Sequence, residues 1–102
     1  MITLCIRYRI DHNKQRDFEA YARSWPEPIR RCGGDLIGYF VPTRFAGRTD
    51  EALALISFPD LGGYERYREA LLKDPAAVKN VARVESAGCI LSEDRGFLQR
   101  IP

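Results

Sequence analysis

A chain of 102 residues with 45% hydrophobic and 29% charged side chains carries enough apolar material for one folded core and too much to remain disordered. Its formal charge of +2 comes without any run of five or six basic residues, which argues against nucleic acid, and Arg30-Arg31 reads as a solvated helix end. No stretch nears the twenty apolar residues of a membrane helix, strand-like sequence from residue 2 leaves no signal or transit peptide expected, and the dispersed Cys5, Cys32 and Cys89 match neither CxxC nor zinc spacing. A cytoplasmic protein with reduced, buried thiols is the expectation.

The opening "ITLCIRYRI" alternates as a strand. Ile2, Leu4, Ile6, Tyr8 and Ile10 share one face, suited to a core; Thr3, Cys5, Arg7 and Arg9 share the other. Asp11 or Asn13 can cap the following helix, on which Phe18, Tyr21, Ala22 and Trp25 form a stripe at i, i+3, i+4 and i+7. Pro26 ends or kinks that helix, Pro28 can open a short second piece, and Cys32-Gly33-Gly34 stops it. "DLIGYFVP" (35–42) predicts a second strand, with Leu36, Gly38 and Phe40 on one side and Ile37, Tyr39 and Val41 on the other. A loop turning near Gly47 leads to "EALALISF" (51–58), a third strand by its length and by Pro59. Asp60 then caps a helix with Leu61, Tyr64, Tyr67, Ala70 and Leu71 inward. Asp74-Pro75 breaks it, and a second piece follows with Val78, Val81 and Ala82 inward. "CILSEDRGFLQRIP" closes the chain as one long bent strand or two short ones.

The order strand–helix–strand–strand–helix–strand predicts one α+β domain over residues 1–102, a ferredoxin-like βαββαβ sandwich with both helical layers on one sheet face. The other face would be bare. In a monomer it should turn polar, yet strands two and three are apolar on both sides. Two copies packed through their sheets into a dimeric α+β barrel remove the discrepancy, because an exposed apolar patch marks an interaction surface and two-fold homodimers are the commonest assemblies. The arginines of strand one would then face a polar space between sheets or escape at its rim.

"CIRYRI", "GGDLIGYF" and "FPDLGGYERYREALLKDP" together resemble the conserved blocks of NIPSNAP-like proteins, and the resemblance runs over nearly the whole chain. It implies the ferredoxin-like protomer of the dimeric α+β barrel superfamily. That superfamily includes cofactor-free monooxygenases, heme-degrading enzymes, isomerases and dehydratases that use a cavity between sheet and helices. The chain departs from the family's "E-L-R-x-Y" strand: Cys5 stands at the acidic position and Arg9 at the aromatic one, so only Arg7 matches. A shared fold does not transfer an activity.

Candidate chemistry centres on Arg7, Arg9, Cys5 and Tyr39. An arginine fork can hold a carboxylate or enolate, and a phenol can donate to a developing oxyanion. Pairing of Arg7 with Glu51 or Glu85, and Tyr39 as interface filling, is the structural alternative. Cys5 equally fits a small core residue. Trp25, with Tyr21 and Phe18, could line an aromatic cavity or simply fill the core. His12, the only histidine, could serve as a base or heme ligand, although its place where strand meets helix suits an exposed loop. No nucleotide, metal or nucleophile-elbow motif is present, so no metal, heme, flavin or nicotinamide is expected. Two functions remain: a homodimer binding or transforming a small anionic or phenolic molecule in a pocket between sheet and helices, with Arg7, Tyr39 and His12 as catalytic candidates, or a non-catalytic dimeric interaction module.

Overall fold

The computed structural model describes residues 1–102. Its elements run β1 (Ile2–Ile10), α1 (Gln15–Arg23), α2 (Pro26–Arg31), β2 (Asp35–Phe40), β3 (Glu51–Phe58), α3 (Leu61–Lys73), α4 (Pro75–Ala87) and β4 (Ile90–Leu98), with a 3-10 turn at His12–Lys14 between β1 and α1. Every strand pairing is antiparallel and the sheet order is β2-β3-β1-β4. This is the ferredoxin-like arrangement expected from the sequence pattern.

The alternation of β1 decides which side the helices cover. Leu4, Ile6, Tyr8 and Ile10 are buried, as are Ala52, Ala54, Ile56 and Phe58 of β3, with Phe18, Tyr21, Trp25, Ile29 and Tyr67 packed over them. The opposite face carries Thr3, Cys5, Arg7 and Arg9, aligned with Ser57, Leu55, Leu53 and Glu51 of β3. No helix covers it. Leu53 and Leu55 are therefore only half-buried, and Phe40 and Leu98 are exposed.

Helix boundaries follow local chemistry. Asp11 accepts from the Asn13 amide at 3.0 Å and so caps the 3-10 turn rather than α1. Pro26, not Pro28, opens α2, since the first helical position has no use for the amide that proline lacks. Gly33 ends this segment at φ 101°, a left-handed conformation that suits glycine. Asp60 caps α3 through the Gly63 amide at 2.8 Å.

Several expectations about side-chain direction are corrected, and Leu61 and Ala82, expected inward, are both exposed. In β2 the register with β3 shifts between Leu36 and Gly38, so Ile37 is an extra residue. Leu36 pairs with Ile56 and Tyr39 with Ala54, which places both on the helix side; Gly38 and Phe40 pair with Leu55 and Leu53 on the bare side. In α4 the buried set is Ala77, Asn80 and Val84, while Val78 and Val81 are exposed. The helix turns this way because Asn80 is satisfied inside: it donates to the Tyr21 carbonyl at 3.0 Å and accepts from Arg83 at 3.0 Å.

Asp74 joins the two helical layers. Its carboxylate accepts from Arg31 at 2.8 and 3.0 Å and caps α4 through the Ala76 and Ala77 amides at 3.0 and 3.1 Å. The Arg31 guanidinium, then the Ala77 amide, hold its pKa down to about 2. A carboxyl whose folded pKa lies below the unfolded value of about 3.9 stabilises the fold fully above roughly pH 4 and loses that contribution as pH falls towards about 2. Asp74→Asn keeps capping ability but loses the ion pair. Its urea midpoint should fall below wild type at neutral pH, with the gap closing between about pH 4 and about pH 2. A gap independent of pH would show that the Arg31 pairing contributes nothing.

Candidate functional site

Between the helix side of the sheet and α1, α3 and α4 lies a cavity of about 560 Å³, lined mainly by apolar side chains. Leu4, Ile6, Tyr8 and Ile56 form part of its floor, and Tyr21 and Trp25 come from α1 and the residues just after it. Tyr39 reaches it only because of the β2 bulge. Strand alternation brings Glu93 and Arg95 of β4 beside it, since they pair with Tyr8 and Ile6.

Its polar atoms are mostly hydrogen-bond donors. The Tyr8 and Tyr39 hydroxyls approach to 3.5 Å, and the two rings stack with centroids 6.2 Å apart. Burial, reinforced by the neighbouring phenols, raises the pKa of Tyr8 and Tyr39 far above the usual tyrosine value. Burial raises Tyr21 and Tyr67 as well. All four phenols thus stay protonated at neutral pH and can donate to a ligand oxygen. The indole N–H of Trp25 is enclosed beside the Tyr21 phenol and opposes that group's rise. At the β4 side, Arg95 pairs with Glu93 at 3.2 Å.

The sequence candidates separate onto two sides of the sheet. Tyr39 and Trp25 line the cavity. Cys5, Arg7 and Arg9 lie on the bare face: Cys5 is buried between Leu55 and Gly96 on the flanking strands, and Arg9 pairs with Asp50 at 3.0 Å. Asp50 also accepts from Arg48 at 2.9 Å, chiefly Arg48 holding its pKa down to about 2. Arg7 is exposed, stands between Leu53 and Asp94 on the adjacent strands, and borders a shallow hollow of about 210 Å³ with Phe40, Val41 and Glu51. Glu85, considered as its partner, borders the cavity on the other side. Arg7 and Tyr39 consequently cannot act on one small molecule within a protomer. His12 is exposed on the 3-10 turn and lines neither space.

Tyr8, Glu93 and Arg95 escaped notice in the sequence. Tyr8 passes for plain core, although a tyrosine on a core face needs somewhere to place its hydroxyl. For Glu93 and Arg95 the signal was the alternation of β4, legible only if residues 90–98 are one strand. The structure contains no group of three His, Cys, Asp or Glu side chains placed to hold a metal ion, and no helix is long and apolar enough to cross a membrane.

The fold is shared with solved structures. A protein from Agrobacterium tumefaciens superposes with a TM-score of 0.85 at 18% identity, covering 99% of this chain and 94% of that one. An uncharacterized NIPSNAP-like domain protein from Burkholderia xenovorans gives 0.80 at 25% identity, over 98% of this chain and 84% of that one. A candidate antibiotic biosynthesis monooxygenase from Nitrosomonas europaea gives 0.74 at 10% identity over the whole of both chains. No curated protein matches the sequence. The NIPSNAP family model matches residues 3–102, the whole chain but for its first two residues, and the chain therefore belongs to the NIPSNAP family.

Proposed function

We propose that this NIPSNAP protein is a homodimer, packed through the bare sheet faces, that binds a small anionic or phenolic molecule in the cavity between sheet and helices of each protomer. The observation that carries the ligand reading is a largely apolar cavity of about 560 Å³ bordered by the Tyr8 and Tyr39 phenols, whose hydroxyls stand 3.5 Å apart. A ligand oxygen could accept from one of these phenols, and the apolar lining would take up the remainder of the molecule.

The same phenols could stabilise charge developing on a bound enolate or phenolate oxygen, with the Glu93 carboxylate bordering the cavity beside Tyr8. Arg7, Arg9 and Cys5 have their place in the space between the two sheets of the dimer.

Trp25 is the only tryptophan, so intrinsic fluorescence reports directly on the cavity. Titration with 4-ethylphenol and with 4-hydroxybenzoate should change its emission saturably. Tyr39→Phe should weaken binding roughly fivefold to tenfold, the loss of one neutral hydrogen bond. Emission that does not respond to either compound would favour the non-catalytic dimeric module.

A further inference from the structure

The cavity is chemically divided. Its hydrogen-bonding side consists of Tyr8 and Tyr39 from the sheet with Tyr21 and Trp25 from the first helical layer. The wall made by α3 and α4 is different: Tyr67 apart, Leu71, Leu72, Val78, Val81 and Val84 supply aliphatic groups. Three of these reach the surface, with Leu72 76% exposed, Val78 52% and Val81 39%. The charged side chains of Arg68 and Glu85 also border this wall and are exposed. An aliphatic path therefore runs from the phenols to solvent along the two helices.

Size points the same way. A cavity of roughly 150 Å³ is enough to take up benzene. At about 560 Å³ this one has room for a ring and a substantial apolar extension. A single-ring ligand would leave Leu71, Val81 and Val84 facing empty or wetted space, forfeiting their contacts.

We infer that the ligand is amphipathic: an aromatic head bearing an oxygen acceptor, held by the phenols, and an aliphatic tail lying along α3 and α4 and leaving past Leu72 and Val81. This rests on the cavity being a ligand site, and adds the tail and its exit.

A series of 4-ethyl-, 4-butyl-, 4-hexyl- and 4-octylphenol, each below its aggregation limit and read by Trp25 emission, tests it. The dissociation constant should fall roughly fourfold for each added methylene while the chain lies against the wall. The double variant Leu72→Asp with Val81→Asp places charge at two exposed positions, where folding has little to lose, and circular dichroism checks that it folds. In this variant the gain from butyl to octyl should shrink by about tenfold or more. Affinity that is flat along the series, with ethylphenol still binding, would overturn the tail while leaving the cavity a ligand site. A chain-length gain identical in variant and wild type would overturn the exit past Leu72 and Val81. No response to any member would remove the ligand site itself.

Discussion

Phe18→Ala should be the most damaging single substitution in this protein, costing about 3–5 kcal/mol of folding stability. Phe18 has no exposed surface. Its ring meets Tyr8 edge-on at 5.0 Å between centroids, and Tyr21 and Tyr39 lie at 5.8 and 6.2 Å. Its ring pairs with all three phenols of the cavity's polar side, so its removal deletes apolar contact and leaves those rings less supported. A domain of this size has about 5–15 kcal/mol in total, so the variant should be near the limit of folding at 37 °C. Urea titration measures this: the midpoint should drop sharply with the slope retained. Phe18→Leu, which restores most of the volume, should recover most of the loss. A cost for alanine under about 1 kcal/mol would contradict the packing described.

The second large effect concerns assembly. Leu55→Asp should convert a dimer into a monomer. Leu53 and Leu55 stand at the centre of the uncovered face: Leu55 lies between Cys5 and Gly38, Leu53 lies between Arg7 and Phe40, and Asp35 and Glu51 mark opposite ends. Each leucine fully buried in a sheet-to-sheet interface contributes roughly 1.5–3 kcal/mol, and a two-fold axis counts it twice. A carboxylate at position 55 would face its symmetry mate or the partner's leucines in a dry space. Light scattering should give about twice 11.7 kDa for the wild type and about 11.7 kDa for the variant. The variant should also absorb the cost of wetting the remaining apolar groups, and so melt at lower temperature. A wild type that is monomeric at micromolar concentration would refute the sheet-to-sheet dimer.

Much of this was legible in the sequence because it depended on short-range periodicity. The alternation of residues 2–10 assigns Leu4, Ile6, Tyr8 and Ile10 to the core, and Asp60 and Asp74-Pro75 mark helix ends by their own chemistry. What could not be read depended on partners distant in the chain. Asn80 looks like a surface residue until the Tyr21 carbonyl, fifty-nine positions away, is there to receive it. Val78 and Val81 look like core because nothing local says that the inner position is already taken. The grouping of the candidates was not legible either, because the register of β2 and the layering of α1 place Tyr39 and Trp25 on one side of the sheet and Arg7, Arg9 and Cys5 on the other.

The extra residue in β2 means that the register of the strand, and not residue type, decides which aromatic ring enters which compartment. Ile37 sets the two ends of the strand out of phase, so Tyr39 serves the cavity and its neighbour Phe40 serves the outer face. Deleting Ile37 would leave an unbroken ladder in which Tyr39 still pairs with Ala54 and enters the cavity, whereas smoothing the bulge with every residue kept would exchange the two rings. A relative of equal length whose second strand runs without the bulge would therefore turn the other ring to the helix side even where it shares the same "GYF".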